Sequence, residues 1–130
     1  MSQEFYELKK SIINQMTDYM KFGGAENESD PDYDPEFEPG YTQEEINQCE
    51  KLLDLFLTAL EKLPETSKNE YILDVVKKVV FGLNKLNEDC NYRLFETNER
   101  EGLCELIITA SKKAGLESNE DDVTEEWREW

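Results

Sequence analysis

Apolar residues recur at three- and four-residue steps in four separate stretches of this chain, and that spacing predicts helices. Phe5, Leu8, Ile12, Met16, Tyr19 and Met20 form the first stripe, over residues 3–21, and Gly23-Gly24 ends it. Thr42-Gln43-Glu44-Glu45 opens the second as a capping box, in which a hydroxyl and a carboxylate satisfy exposed amides reciprocally. Its apolar positions, from Ile46 through Leu52, Leu55 and Ala59 to Leu63, cover more than one face. This helix is therefore expected to be the most buried.

A second box, Ser67-Lys68-Asn69-Glu70, leads the third stretch, in which Ile72, Val75, Val76, Val79, Val80, Leu83 and Leu86 follow. Valine favours strands, but Asp74, Lys77 and Lys78 fall together on the opposite side, and only a helical period puts them there. Residues 87–96 read as a connector. Thr97 is placed as the cap of a fourth helix with core positions Leu103, Leu106, Ile107, Ala110 and Ala114. Lys112 and Lys113 suit its C-terminal dipole, Gly115 a left-handed position beyond it, and Leu116 a fold-back onto the last turn. The expected fold is all-α: one four-helix-bundle-like domain over 1–130, without internal repeats. A long acidic loop (24–41) follows the first helix, and an acidic tail (117–130) carries a short tryptophan-containing helix.

Charge narrows the function. The 130 residues hold 31 acidic and 14 basic side chains, a net charge of −17. Nucleic-acid backbones and anionic lipid surfaces both demand cations, so direct nucleic-acid and membrane binding are excluded. The excess is local. Residues 26–41 contain seven acids and no base, and residues 117–130 seven acids beside Arg128 alone. The rest has the balance of an ordinary folded domain.

Chemistry is scarce. With no histidine, the commonest general base and metal ligand is missing. Cys49, Cys90 and Cys104 lie too far apart in sequence for a paired zinc or redox motif, so no cofactor or metal is expected and the chain is read as non-enzymatic. The opening Met1–Tyr6 has neither the basic nor the apolar region of a signal peptide, and no apolar run is long enough to span a bilayer. Cytoplasm is the expected compartment.

Two segments are candidates for partner contact. Asp30-Pro31-Asp32-Tyr33-Asp34 begins like a calcium loop, but Pro35 stands where its turn needs glycine and Tyr41 where it needs a bidentate glutamate. Pro31, Pro35 and Pro39 instead predict an extended, poorly hydrogen-bonded loop. Tyr33, Phe37 and Tyr41 recur every four residues among the acids. Either these rings tack the loop onto the helices, or Asp30, Asp32, Tyr33, Asp34, Glu36, Phe37 and Glu38 form an acidic-aromatic finger for a basic protein partner. In the tail, Thr124 can cap a short helix that puts Trp127 and Trp130 on one face. The rings are expected to dock in a groove and close the fold; Glu125, Glu126, Trp127 and Trp130 are the secondary candidates for partner contact. Asn84 and Asn87, with Glu96, Thr97, Arg100 and Glu101, are expected to brace the connector by side-chain hydrogen bonds.

Three segments, Leu83-Asn84-Lys85-Leu86-Asn87, Glu96-Thr97-Asn98-Glu99-Arg100-Glu101 and Thr124-Glu125-Glu126-Trp127-Arg128-Glu129-Trp130, together resemble small acidic helical bacterial proteins. Some of these are similar to immunity proteins of polymorphic-toxin and contact-dependent growth-inhibition systems. The likeness spans residues 42–130 and leaves out the first helix and the acidic loop. It implies an intracellular antidote that binds one cognate toxin domain and performs no chemistry; no inhibitory residue is carried over. Electrostatics agrees with that implication, since a nuclease-type toxin exposes a basic cleft. Two other readings are a nucleic-acid mimic that inhibits a DNA- or RNA-binding protein, and an adaptor or structural domain kept soluble by its acids. A mimic spreads its charge along a surface, whereas here it gathers in a loop and a tail.

Overall fold

Helical periodicity sets the architecture. The computed structural model describes residues 3–64, 69–118 and 122–130, and among them there are four helices and no strand. These are α1 (Gln3–Phe22), α2 (Gln43–Lys62), α3 (Asn69–Asp89) and α4 (Thr97–Lys113). The main helix–helix contacts pair α2 with α3, α1 with α4 and α1 with α2. One apolar core draws on all four: Ile12 and Met16 of α1, Leu53 and Leu57 of α2, Ile72, Val76 and Leu83 of α3, and Leu103, Leu106 and Ile107 of α4 are fully buried.

Local signals hold where the chain itself supplies both partners. Thr42 caps α2 as expected: its hydroxyl accepts from the Glu44 amide at 3.3 Å, and Glu45 accepts from the Thr42 amide at 3.3 Å. At the far end of α4 the Leu116 amide donates to the Ser111 carbonyl and the Gly115 amide to the Lys112 carbonyl, both at 3.0 Å. With Gly115 at φ +114°, this is the expected left-handed helix stop, and Leu116 is buried beneath it. The Ser67 box lies outside the described residues.

Three expectations change. The cap of α4 is Glu96, not Thr97; Glu96 has extended backbone and no side-chain cap bond, and Thr97 is already helical. Secondly, α3 and not α2 buries the most residues. The second apolar face of α2 stays partly open: Leu52 packs over Gly82 of α3 and is half-buried, whereas Leu55 is exposed. Finally, the tail has consecutive turns at 123–127 and no helix.

Polar contacts fix the helix pairs. Lys9 of α1 reaches Asp54 at 2.7 Å and Glu50 at 3.4 Å on α2. Burial alone lowers the affinity of the Lys9 ammonium for its proton, but the two carboxylates outweigh it and leave the pKa raised. Tyr6 donates to Glu61 at 3.2 Å on the same seam. Cys49 is buried on α2, and burial pushes its thiol up to about 12, so it stays protonated and unreactive.

Candidate functional site

The acidic loop is a run of turns, contrary to the extended conformation expected from its prolines. Asn27, Asp30 and Asp34 each accept from the backbone amide two residues on, at 2.8–2.9 Å. Backbone bonds close the turns from Asp30 to Asn27, Tyr33 to Asp30 and Phe37 to Asp34, at 3.0–3.1 Å. Pro31 and Pro35 each follow an acid as the second residue of a closed turn, where a fixed φ favours bending over extension, whereas Pro39 lies in no turn. The sequence signal is a short internal repeat, which corrects the reading that the chain has none. Asp30-Pro31-Asp32-Tyr33, Asp34-Pro35-Glu36-Phe37 and Glu38-Pro39-Gly40-Tyr41 are three tandem tetrads of acid, proline, variable residue and aromatic.

This repeat sorts rings from carboxylates. Phe37 meets Tyr19 edge-on with centroids 5.3 Å apart, and Tyr33 meets Phe22 at 6.4 Å. Tyr41 is buried, and its hydroxyl donates to the Met16 carbonyl at 3.2 Å. All three rings therefore settle on the last two turns of α1, so they tack the loop onto the helices, while Tyr33 and Phe37 stay only half-buried. Asp32, Asp34, Glu36 and Glu38 are exposed. Among the described residues no ion pair involves a loop carboxylate. Asp30 is half-buried; amides of Asp32 and Glu26 donate to it and hold its carboxyl below the usual range.

The base of the loop is clamped by the α3–α4 connector. Arg93 donates to the Glu38 backbone carbonyl at 2.8 Å, and its guanidinium lies over Gly40. A side chain at position 40 is doubly disfavoured: φ is +88°, and a Cβ there meets Arg93 Nε at 2.9 Å. Arg93 reaches this place because Asn91 and Tyr92 both adopt left-handed backbone, at φ 55° and 61°, and reverse the chain after α3. Asn87 braces the same connector by accepting from the Leu94 amide at 3.2 Å, as expected.

Negative charge continues past the loop into a polar cleft of about 450 Å³ between the end of α1 and the start of α4, lined in part by Asp18, Tyr19, Glu96 and Glu99. Glu99 is only 3% exposed. Burial raises its carboxyl above the ordinary glutamate range, opposed by a bond from its own amide, with Glu96 adding to the rise. Sequence reasoning misses Glu99; its signal is its place one turn before the core position Leu103, on the inward side of α4. Among the described residues no group of acids and cysteines has the geometry to hold a metal ion.

The tail is held elsewhere. Asn84 of α3 donates to the Trp127 carbonyl at 2.7 Å and accepts from the Glu129 amide at 3.0 Å. This two-point grip takes the Glu129 amide that a continuing helix needs, which is why 123–127 stays a set of turns. Arg128 pairs with Asp122 at 3.0 Å, donates to the Trp130 carbonyl at 2.7 Å and sits over the Trp130 ring. Trp130 also packs against Phe95 at 5.3 Å. Both tryptophans are half-buried, while Glu125 and Glu126 are exposed. The loop thus rests on α1 and Arg93, the tail on Asn84 and Phe95. No family model, curated protein or solved structure matches this chain.

Proposed function

We propose that this protein is a non-catalytic binding protein, an immunity-type antidote that neutralises a basic, nuclease-type toxin domain in the cytoplasm. Its docking element is the acidic loop, carried on a bundle-like helical frame. One observation supports this most: Tyr33, Phe37 and Tyr41 face α1, while Asp32, Asp34, Glu36 and Glu38 are exposed and form no ion pair among the described residues. Carboxylates fixed in this way are ordered before the partner arrives, so less conformational entropy is lost on binding. Their field also steers a cationic cleft towards them. Concentration of the charge in a loop and a tail favours a local plug for a cleft over an extended nucleic-acid mimic. Glu96 and Asp18 extend the negative surface beside the loop.

The test begins at the gene directly upstream. If it encodes a basic toxin domain, the purified pair should associate with a rate that falls steeply with salt. Neutralising the four outward carboxylates should slow association by about tenfold or more. A cognate domain that binds the neutralised variant at an unchanged rate would move the site away from the loop. Recovery of no basic protein from the native host would favour the adaptor reading.

A further inference from the structure

The second apolar face of α2, left partly open by the fold, forms a groove with α3. Early α2 lies beside late α3 (Gln48 near Asp89) and late α2 beside early α3 (Ala59 near Val75), so the two helices run antiparallel. Two adjoining hollows of about 320 and 330 Å³ share Leu52 and Leu55. Their floor is apolar: Leu52, Phe56, Val75, Val79 and Leu86, with Leu52 lying over Gly82. Leu55 is 58% exposed on the wall, and two other large exposed apolar side chains, Tyr71 at 53% and Phe81 at 47%, stand on α3. None of these residues belongs to the acidic loop or the tail.

The rim has the opposite sign to the molecule. Lys51, Lys78 and Lys85 border the hollows with one acid, Asp89, which Lys85 engages at 3.1 Å. The lining therefore carries a net +2 on a chain of net −17. We infer that the α2–α3 groove is a second docking surface, which takes an amphipathic helix of a partner protein with apolar anchors on one side and acidic flanks on the other. A concave seam between two helices accepts anchors at three- and four-residue spacing, and the lysines select flanking carboxylates and repel cations. The span from Gln48 to Ala59 is roughly 16 Å, the length of about three helical turns. This inference does not rest on the function proposed for the loop.

The test uses two fluorescent synthetic peptides of about 16 residues with leucines at helical spacing, one flanked by glutamates and one by lysines. The glutamate peptide should bind the full chain at least about tenfold tighter than the lysine peptide. Leu55→Glu should weaken it by about tenfold or more with an unchanged melt, since Leu55 is exposed. Lys51→Glu with Lys78→Glu should invert the preference between the peptides. Equal binding of both peptides, or retention of the preference in the lysine double variant, overturns the inference. A monomer–dimer equilibrium abolished by Leu55→Glu would assign the groove to a second copy instead, and lysine-dependent sedimentation with vesicles of anionic lipid would assign it to a membrane; either overturns it.

Discussion

Asn84 grips the backbone of the tail at both ends of its carboxamide, donating to the Trp127 carbonyl while accepting from the Glu129 amide. A single side chain in the C-terminal half of α3 thereby ties down a segment more than forty residues later. Asn84 is itself buried, so both bonds form where water competes weakly.

Asn84→Ala should lower stability by about 2 kcal/mol, from two lost hydrogen bonds and the backbone groups left unpaired. Both tryptophans of the chain lie in the gripped segment, so their emission should shift to the red well below the melting temperature. A native emission maximum in this variant would mean that Trp130 on Phe95 and the buried Val123 hold the tail without Asn84.

Replacing Asp32 and Asp34 with Asn, and Glu36 and Glu38 with Gln, should leave the melting temperature nearly unchanged. After Asp34→Asn the side-chain amide oxygen can still accept from the backbone amide two residues on, and exposed carboxylates that repel one another add little stability. Association with a basic partner should slow by about tenfold or more and lose most of its salt dependence. Stopped-flow mixing over a salt series checks both.

The pair Tyr33→Ala and Phe37→Ala should release the loop while sparing the helices. Each ring contact contributes about 1 kcal/mol, so losing two raises the open population by roughly an order of magnitude or more. A glutamate-specific protease should then cut within residues 26–38 correspondingly faster, with helical circular dichroism unchanged. Equal cleavage of variant and parent would show that Arg93 and Tyr41 hold the loop alone.

Glu99→Gln should raise the melting temperature at neutral pH. Burial raises the folded-state pKa of this carboxyl above its unfolded value, so the folded protein binds the proton more tightly. Its ionisation therefore opposes folding above the raised pKa, and the opposition fades as pH falls through it towards the ordinary glutamate range. The advantage of the glutamine variant should shrink over the same interval. A constant difference from neutral pH down to pH about 4 would contradict the assignment.

The legible parts of this fold are those in which a few neighbouring residues satisfy one another. The Thr42–Glu45 box and the Gly115 stop each close within six residues, and both form as the sequence predicts. The tail does not, because Asn84 takes the Glu129 amide and the Trp127 carbonyl from another helix and nothing near Thr124 signals that. The loop is readable in a different way: Asp-Pro recurs after four residues, and proline after an acid bends a chain as readily as it extends one. Its aromatic period points to α1, but only the turns show that every ring falls on the same side. Leu52 and Leu55 mislead for a third reason. An apolar position signals a neighbour, but α3 covers Leu52 only in part and leaves Leu55 exposed.

Packing of α1 against α4 also has a consequence for the order of events during folding. The α2–α3 pair joins neighbours in sequence, whereas the α1–α4 contact joins stretches separated by the whole of α2 and α3. Local closure is fast and distant closure slow, so the α2–α3 and α1–α2 pairs should form before α1 meets α4. The acidic loop needs Tyr19 and Phe22 on one side and Arg93, beyond α3, on the other. It should thus be among the last surfaces to mature, its carboxylates reaching their final array only once Arg93 has met the Glu38 carbonyl.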